Sequence, residues 1–203
     1  MNRDGKIAKK RFNVLIFILV SIDQIVKIVI SKLFFEPHVH IDFIDNILYF
    51  CPMQNTDGVN IVVRRIATSL FKIDTANPPF VLRIALPLLA LGIILFVSLY
   101  FAYLSKKYHS FIYYSLIFVI SGIICRLIDD IFWGGSIDYI GLFNWFVFDF
   151  KDAYITTWQI FMLLIVVRYL RDYYKLDKKE RKQQSKGFFN WLKKGCRLNQ
   201  CRE

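Results

Sequence analysis

The sequence predicts an all-α polytopic membrane protein, with four transmembrane helices and a small outward-facing β element. Three observations lead there. Of the 203 residues 56% are hydrophobic, including 20 Phe, 11 Tyr and 4 Trp, with a mean hydropathy of +0.40. A soluble domain of this length has too little interior to hide that much apolar surface. The apolar residues gather into four runs of about 19 to 25 residues, each enough to cross a ~30 Å hydrocarbon layer at ~1.5 Å per helical residue. The Lys and Arg residues between these runs are distributed very unevenly.

The first run, Asn13 to Leu33, follows the basic arm MNRDGKIAKKRF. It is longer than the apolar region of a signal peptide and is not followed by a small-residue cleavage site, so it reads as a retained span. Asp23 and Lys27 lie four residues apart on one face of it and can neutralise each other inside the membrane. Residues 36–79 form the longest non-spanning stretch. In it HIDFIDNILYFCP and GVNIVVRRI show partial alternation with β-branched and aromatic residues, which predicts a small sheet. NTDG (Asn55 to Gly58) reads as a turn, and NPPF (Asn77 to Phe80) as a helix entry.

The second span, 80–104, has Arg83 near one end and Pro87 in its first turns, where a kink is tolerable. SKKYH connects it to the third span, 110–128. The fourth, 153–173, follows the aspartate-rich stretch SGIICRLIDDIFWGGSIDYIGLFNWFVFDFKDAYITT. Residues 1–174 thus form one membrane domain, with no internal repeat and no soluble second domain. Residues 175–203 are a basic tail of ten Lys or Arg against three acids, with Phe188, Phe189 and Trp191 among them. Such a tail either lies on an anionic lipid surface or is simply solvated.

Nineteen Lys and Arg fall in the N-terminal arm, in SKKYH and from Arg168 onward, against four in the two other loops, Arg64, Arg65, Lys72 and Lys151. The positive-inside rule then places both termini in the cytoplasm, and the sheet and the aspartate-rich stretch at the outer face. Because the net charge of +11 sits at the ends of a membrane chain, nucleic acid is not the expected partner. Cys51, Cys125, Cys196 and Cys201 form no CxxC pair, and His38, His40 and His109 fall on opposite sides, so neither a metal nor a cofactor is expected.

Five aspartates (Asp129, Asp130, Asp138, Asp149 and Asp152) lie between the last two spans. Carboxylates at the edge of hydrocarbon are costly, which makes a functional site the default hypothesis. Asp138 follows the turn-like GGS and Asp152 stands just before the last span, so both fall near one depth. Two close carboxylates share one proton, and such a pair can activate a water and protonate a leaving amine. No serine and lysine stand in a recognisable catalytic spacing. Helix capping or simple solvation of these aspartates is the plain alternative.

At these residues the chain resembles bacterial lipoprotein signal peptidase, signal peptidase II. DQIVK (Asp23 to Lys27) is similar to the family's DQxxK, and Asn55 with Gly58 resembles its NxG with one residue inserted. RLIDDIFWGGSIDYI (Arg126 to Ile140) is similar to NxxDRxxxGxVxDFI, and FDFKDAYIT (Phe148 to Thr156) to FNxADxxI. The resemblance implies an intramembrane aspartyl endopeptidase of the bacterial cytoplasmic membrane, with Asp138 and Asp152 as the catalytic dyad. It also implies that Asp23, Asn55 and Asp129 support the dyad or contact substrate, and Lys27, Arg126 and Asp149 are further candidates for such roles, Arg126 in place of a family contact to substrate or headgroup. It implies as substrates prolipoproteins carrying a diacylglyceryl-cysteine, cut just before that cysteine, with membrane lipids as further partners.

The chain departs from the family pattern at Arg126 and Asp130, which replace asparagine and arginine and can pair in reversed order. It departs again at Asp149 and Lys151, in place of asparagine and alanine. The alternatives are a homologue that binds precursors without cutting them, and a binding or transport protein using Asp23, Lys27 and Asp129 as a buried polar relay.

Overall fold

The computed structural model describes residues 3–34, 39–55, 80–104, 109–175, 187–188 and 190. The expected turn after Asn55, the segment GVNIVVRRI, the NPP helix entry, most of the SKKYH connection and most of the basic tail lie outside the described residues.

Four helices dominate: α1 (Arg3–Leu33), α2 (Phe80–Leu104), α3 (His109–Ile128) and α4 (Phe150–Tyr173). Each contains a stretch long and apolar enough to cross a membrane, Lys10–Leu33, Arg83–Tyr103, Phe111–Trp133 and Phe150–Tyr173. Large apolar side chains such as Phe17, Leu89 and Leu163 point out of the bundle, which is tenable against lipid and untenable against water. The protein is a multi-pass membrane protein. Inside the bundle, α3 packs on each of the other three helices. Gly122 permits the approach to α4: a Cβ there would stand 2.7 Å from Ile155 Cγ1 and 3.1 Å from the Lys151 carbonyl oxygen. Pro87 is accommodated inside α2.

One four-stranded antiparallel sheet joins the C-terminal ends of α1 and α3 to the start of α4. Its strands are β1 (Ile41–Ile44), β2 (Leu48–Asn55), β3 (Ser136–Leu142) and β4 (Phe146–Phe148), in that spatial order. Among the described residues the expected sheet segment contributes β1 and β2. The other half comes from the aspartate-rich stretch, expected as a loop. Residues Ser136 to Tyr139 of β3 are buried on both faces, so polar and apolar residues alternate with no change in exposure and the usual strand pattern is lost. A three-residue loop, Phe143 to Trp145, closes the β3–β4 hairpin. Phe143 and Asn144 both take positive φ (51° and 55°), and the Trp145 N–H donates to the Leu142 carbonyl at 3.0 Å.

Two apolar clusters hold the sheet to the bundle and the bundle to itself. Ile30, Ile137 and Tyr139 are buried together, flanked by Val26, Phe34, Phe50 and Phe150, with the Tyr139 and Phe150 rings edge to face at 5.9 Å. Between α3 and α4, Ile112, Met162 and Ile165 pack with Val97, Phe101 and Trp158.

α4 begins at Phe150, three residues earlier than its apolar pattern suggests. Asp149 is the reason: as N-cap, its side chain accepts the Asp152 N–H at 3.1 Å and satisfies an otherwise orphan donor. Asp152 therefore sits in the first turn of the helix rather than before it.

Candidate active site

α3 does not simply stop. It ends in a five-residue π turn, Asp129–Trp133, closed by Gly134 in the left-handed region (φ 66°), a conformation glycine adopts without strain. The widened turn buries two successive aspartates and gives each a different cation. The Asp129 carboxylate receives Lys27 Nζ at 2.9 and 2.7 Å. The Asp130 carboxylate receives Arg126 Nε and Nη2 at 2.9 and 3.0 Å, so the reversed pairing expected from their spacing is formed, and bidentately.

Lys27 is the hub of the inner group. Its ammonium also reaches Asp23 Oδ2 at 2.9 Å and Asp149 Oδ2 at 2.7 Å, and Asp23, Lys27, Asp129 and Asp149 are all 0% exposed. Gln24 adds donors to Asp23 at 3.0 Å and Asp129 at 3.3 Å, and its carbonyl oxygen accepts from the Trp133 indole N–H at 3.3 Å. The other Asp23 oxygen takes the backbone N–H of Lys151 at 3.2 Å, which pins the start of α4 to the middle of α1. A buried charge is tenable only when paired and hydrogen-bonded in this way.

The outer group is built on β3 and the first turn of α4. Asp138, Asp149 and Asp152 bring carboxylate oxygens within 4.8 Å of one another. Asn55, at the end of β2, donates to Asp138 Oδ2 at 2.8 Å, and the Ser136 hydroxyl lies 2.7 Å from Asp138 Oδ1. Lys151 reaches into the middle. Its ammonium lies 2.6 Å from Ser136 Oγ, 2.7 Å from Asp149 Oδ2, 3.5 Å from Asp138 Oδ1 and 3.6 Å from Asp152 Oδ2. The spacing of the three carboxylates would also suit a cation, and the Lys151 ammonium supplies one. Burial alone would push the Asp149 carboxyl up, but the Lys151 and Lys27 ammoniums hold it below the ordinary carboxylate value.

Thus Asp23, Lys27, Asp129 and Asp149 converge on the inner group, and Asn55, Asp138 and Asp152 on the outer one, while Arg126 stands apart with Asp130. Gln24, Ser136 and Lys151 belong to the constellation and escaped the sequence reading as site members. Ser136 and Lys151, fifteen residues apart and in no recognisable catalytic spacing, meet because β3 and α4 are joined by a tight hairpin. This pair is not arranged as a nucleophile and base. Ser136 is 0% exposed, and the Lys151 ammonium is engaged by the Asp149, Asp138 and Asp152 carboxylates.

A family model for signal peptidase (SPase) II matches residues 15–168, more than half of the chain. The chain belongs to the signal peptidase II family. Members process the signal peptides of lipoproteins, and the protein is a peptidase of that group. Two solved structures of bacterial membrane enzymes, determined by the in meso method at 2.3 Å and 1.9 Å resolution, share the fold. The first has a TM-score of 0.55 at 17% identity, over 83% of this chain and 93% of its own. The second has a TM-score of 0.55 at 16% identity, over 77% and 92%. Curated proteins yield no match.

Proposed function

We propose that the chain is an aspartic intramembrane endopeptidase that cuts diacylglyceryl-modified prolipoproteins just before the lipid-bearing cysteine, with Asp138 and Asp152 as its dyad. The observation that carries this reading is the approach of these two carboxylates to within 4.8 Å at the sheet end of the bundle. The sites are unequal. Both Asp138 oxygens face donors, from Asn55 and Ser136, whereas the Asp152 side chain is 43% exposed. Asp138 is thereby set up to accept a proton from water, and Asp152 to hand one to the leaving amine. The wider cluster has five carboxylates (Asp23, Asp129, Asp138, Asp149, Asp152) against two ammoniums (Lys27, Lys151), and this excess of negative charge favours retention of a proton among the carboxylates.

In this reading Asp23, Lys27 and Asp129 hold the frame, Asn55 and Asp149 position the dyad, and Arg126 contacts substrate or a lipid headgroup. Both termini face the cytoplasm, the sheet lies at the outer face, and the precursor's lipid enters sideways from the bilayer. The basic tail rests on anionic headgroups. No metal or other cofactor takes part.

The test is cleavage of a diacylglyceryl-modified precursor by purified protein in detergent, comparing wild type with Asp138→Asn and Asp152→Asn. Loss of cleavage in both variants, with precursor still bound, is the expected result. Full turnover in either variant would remove the dyad, and a wild type that binds without cutting would favour the non-catalytic homologue.

A further inference from the structure

We infer that Asp149 and Lys151 work as one charge-neutral positioning pair that sets how tightly Asp138 and Asp152 hold their shared proton, so that each compensates the other. The inference rests on the aspartic reading above and deepens it. Lys151 Nζ stands almost equally far from the two dyad carboxylates, 3.5 Å from Asp138 and 3.6 Å from Asp152. Its side chain is 4% exposed, so water does little to screen it. Alone, such an ammonium favours ionisation of both carboxylates and strips the leaving group of its acid. Asp149, 2.7 Å from the same nitrogen, supplies the opposing charge.

The other groups facing this point come from every neighbouring element. Asp129 of the π turn lies 3.8 Å from the ammonium. From α1, Lys27 grips the same Asp149 oxygen at 2.7 Å, and Asp23 holds the Lys151 backbone. From β3 comes the Ser136 hydroxyl, and from β2 Asn55, on Asp138. Ser136 links the two halves of the pair to the dyad. It accepts from Lys151 and has one proton to give, with Asp138 Oδ1 at 2.7 Å and Asp149 Oδ2 at 3.0 Å as its two acceptors. Asp149 is coupled to the dyad a second time through the backbone, since its other oxygen caps the turn that carries Asp152. One side chain thus fixes both the charge near the dyad and the placement of one of its members.

The experiment is the pH profile of precursor cleavage by the purified full chain for wild type, Lys151→Ala, Asp149→Asn and the double variant. Removing the ammonium moves the optimum to higher pH and removing the carboxylate moves it lower, each by about one to three pH units. The double variant returns close to the wild-type optimum. Asparagine still offers an oxygen to cap α4, so Asp149→Asn and the double variant give the same comparison if Lys151→Ala does not fold. Carbodiimide modification of the exposed Asp152 carboxyl, followed by mass spectrometry across pH, shifts in the same order and needs no turnover. Unmoved profiles in the single variants, or shifts that do not cancel in the double, overturn the pairing. A wild type that never cuts overturns instead the peptidase reading on which the pairing rests.

Discussion

Two ammonium groups sit within one cluster of aspartates, yet their surroundings differ in kind. Around Lys27 every charged partner is 0% exposed and each is also held from α4: Asp23 by the α4 backbone, Asp129 by the Lys151 ammonium at 3.8 Å, Asp149 by Lys151 and the helix it caps. Around Lys151 the partners are graded, from the enclosed Asp149 and Asp138 to Asp152, whose side chain is 43% exposed. A saturated group of charges fixes geometry and has no spare valence for a reactant. A group with one accessible carboxylate can exchange a proton. The difference separates the part of the cluster that holds the helices from the part suited to chemistry.

The strongest way to sharpen that contrast is to neutralise the accessible member. Asp152→Asn should lower cleavage by about 10²–10⁴-fold, the range for losing a positioned acid or base, while thermal unfolding stays near wild type. A fall in unfolding temperature as large as that of the inner-group variants would mean that the two regions do not differ.

Next in size is Lys27→Ala. It leaves Asp23, Asp129 and Asp149 without their shared cation in a dry interior, and breaking a buried pair by removing one partner costs about 3–5 kcal/mol. Unfolding in detergent, followed by intrinsic fluorescence, should show that loss before any assay of turnover. Retained stability with lost turnover would instead place Lys27 in the chemistry, as the polar-relay alternative requires.

Asp149 lies between the groups, and its effect is smaller and dependent on pH. Asp149→Ala removes the cap of α4 as well as the charge, and the cap's share of the loss, about 1 kcal/mol, is the part that Asp149→Asn avoids. Its carboxyl is held below the ordinary value, so the folded state binds its proton less readily than the unfolded chain does. The stability it contributes is therefore complete above the unfolded value, about 3.9, and disappears as pH falls through the lower folded one. Acid unfolding of wild type should steepen below about pH 4, and Asp149→Asn should flatten that limb.

Much of this was legible in the sequence because the signals were local. The spans appear as apolar runs, and the Asp23–Lys27 and Arg126–Asp130 pairs as four-residue spacings, and all are present. What stayed hidden depends on distant pairing. β3 bonds to β2 across more than eighty residues, as Asn55 to Asp138 shows, and the burial of its polar positions Ser136 and Asp138 comes from those distant partners rather than from any local pattern. Lys151 reads in sequence as a basic residue of an outer loop. Only the early start of α4, caused by the Asp149 cap, turns it inward. The density of acids around a single lysine was the available clue.

The smallest expected effect tests the one ion pair that stands outside both groups. Arg126 and Asp130 satisfy each other bidentately, the Asp130 side chain being fully enclosed and that of Arg126 16% exposed. Removing Arg126 alone strands a buried carboxylate and confounds stability with function. Replacing both by leucine removes the charges together, and for buried pairs that exchange is often neutral or stabilising. The Arg126→Leu/Asp130→Leu variant should unfold within about 1 kcal/mol of wild type. Its turnover then isolates the role proposed for the arginine: a raised KM with kcat retained would mark contact with precursor or headgroup in the ground state, because uniform binding is lost without touching the chemical step. Wild-type KM and kcat together would reduce the pair to a brace for the π turn.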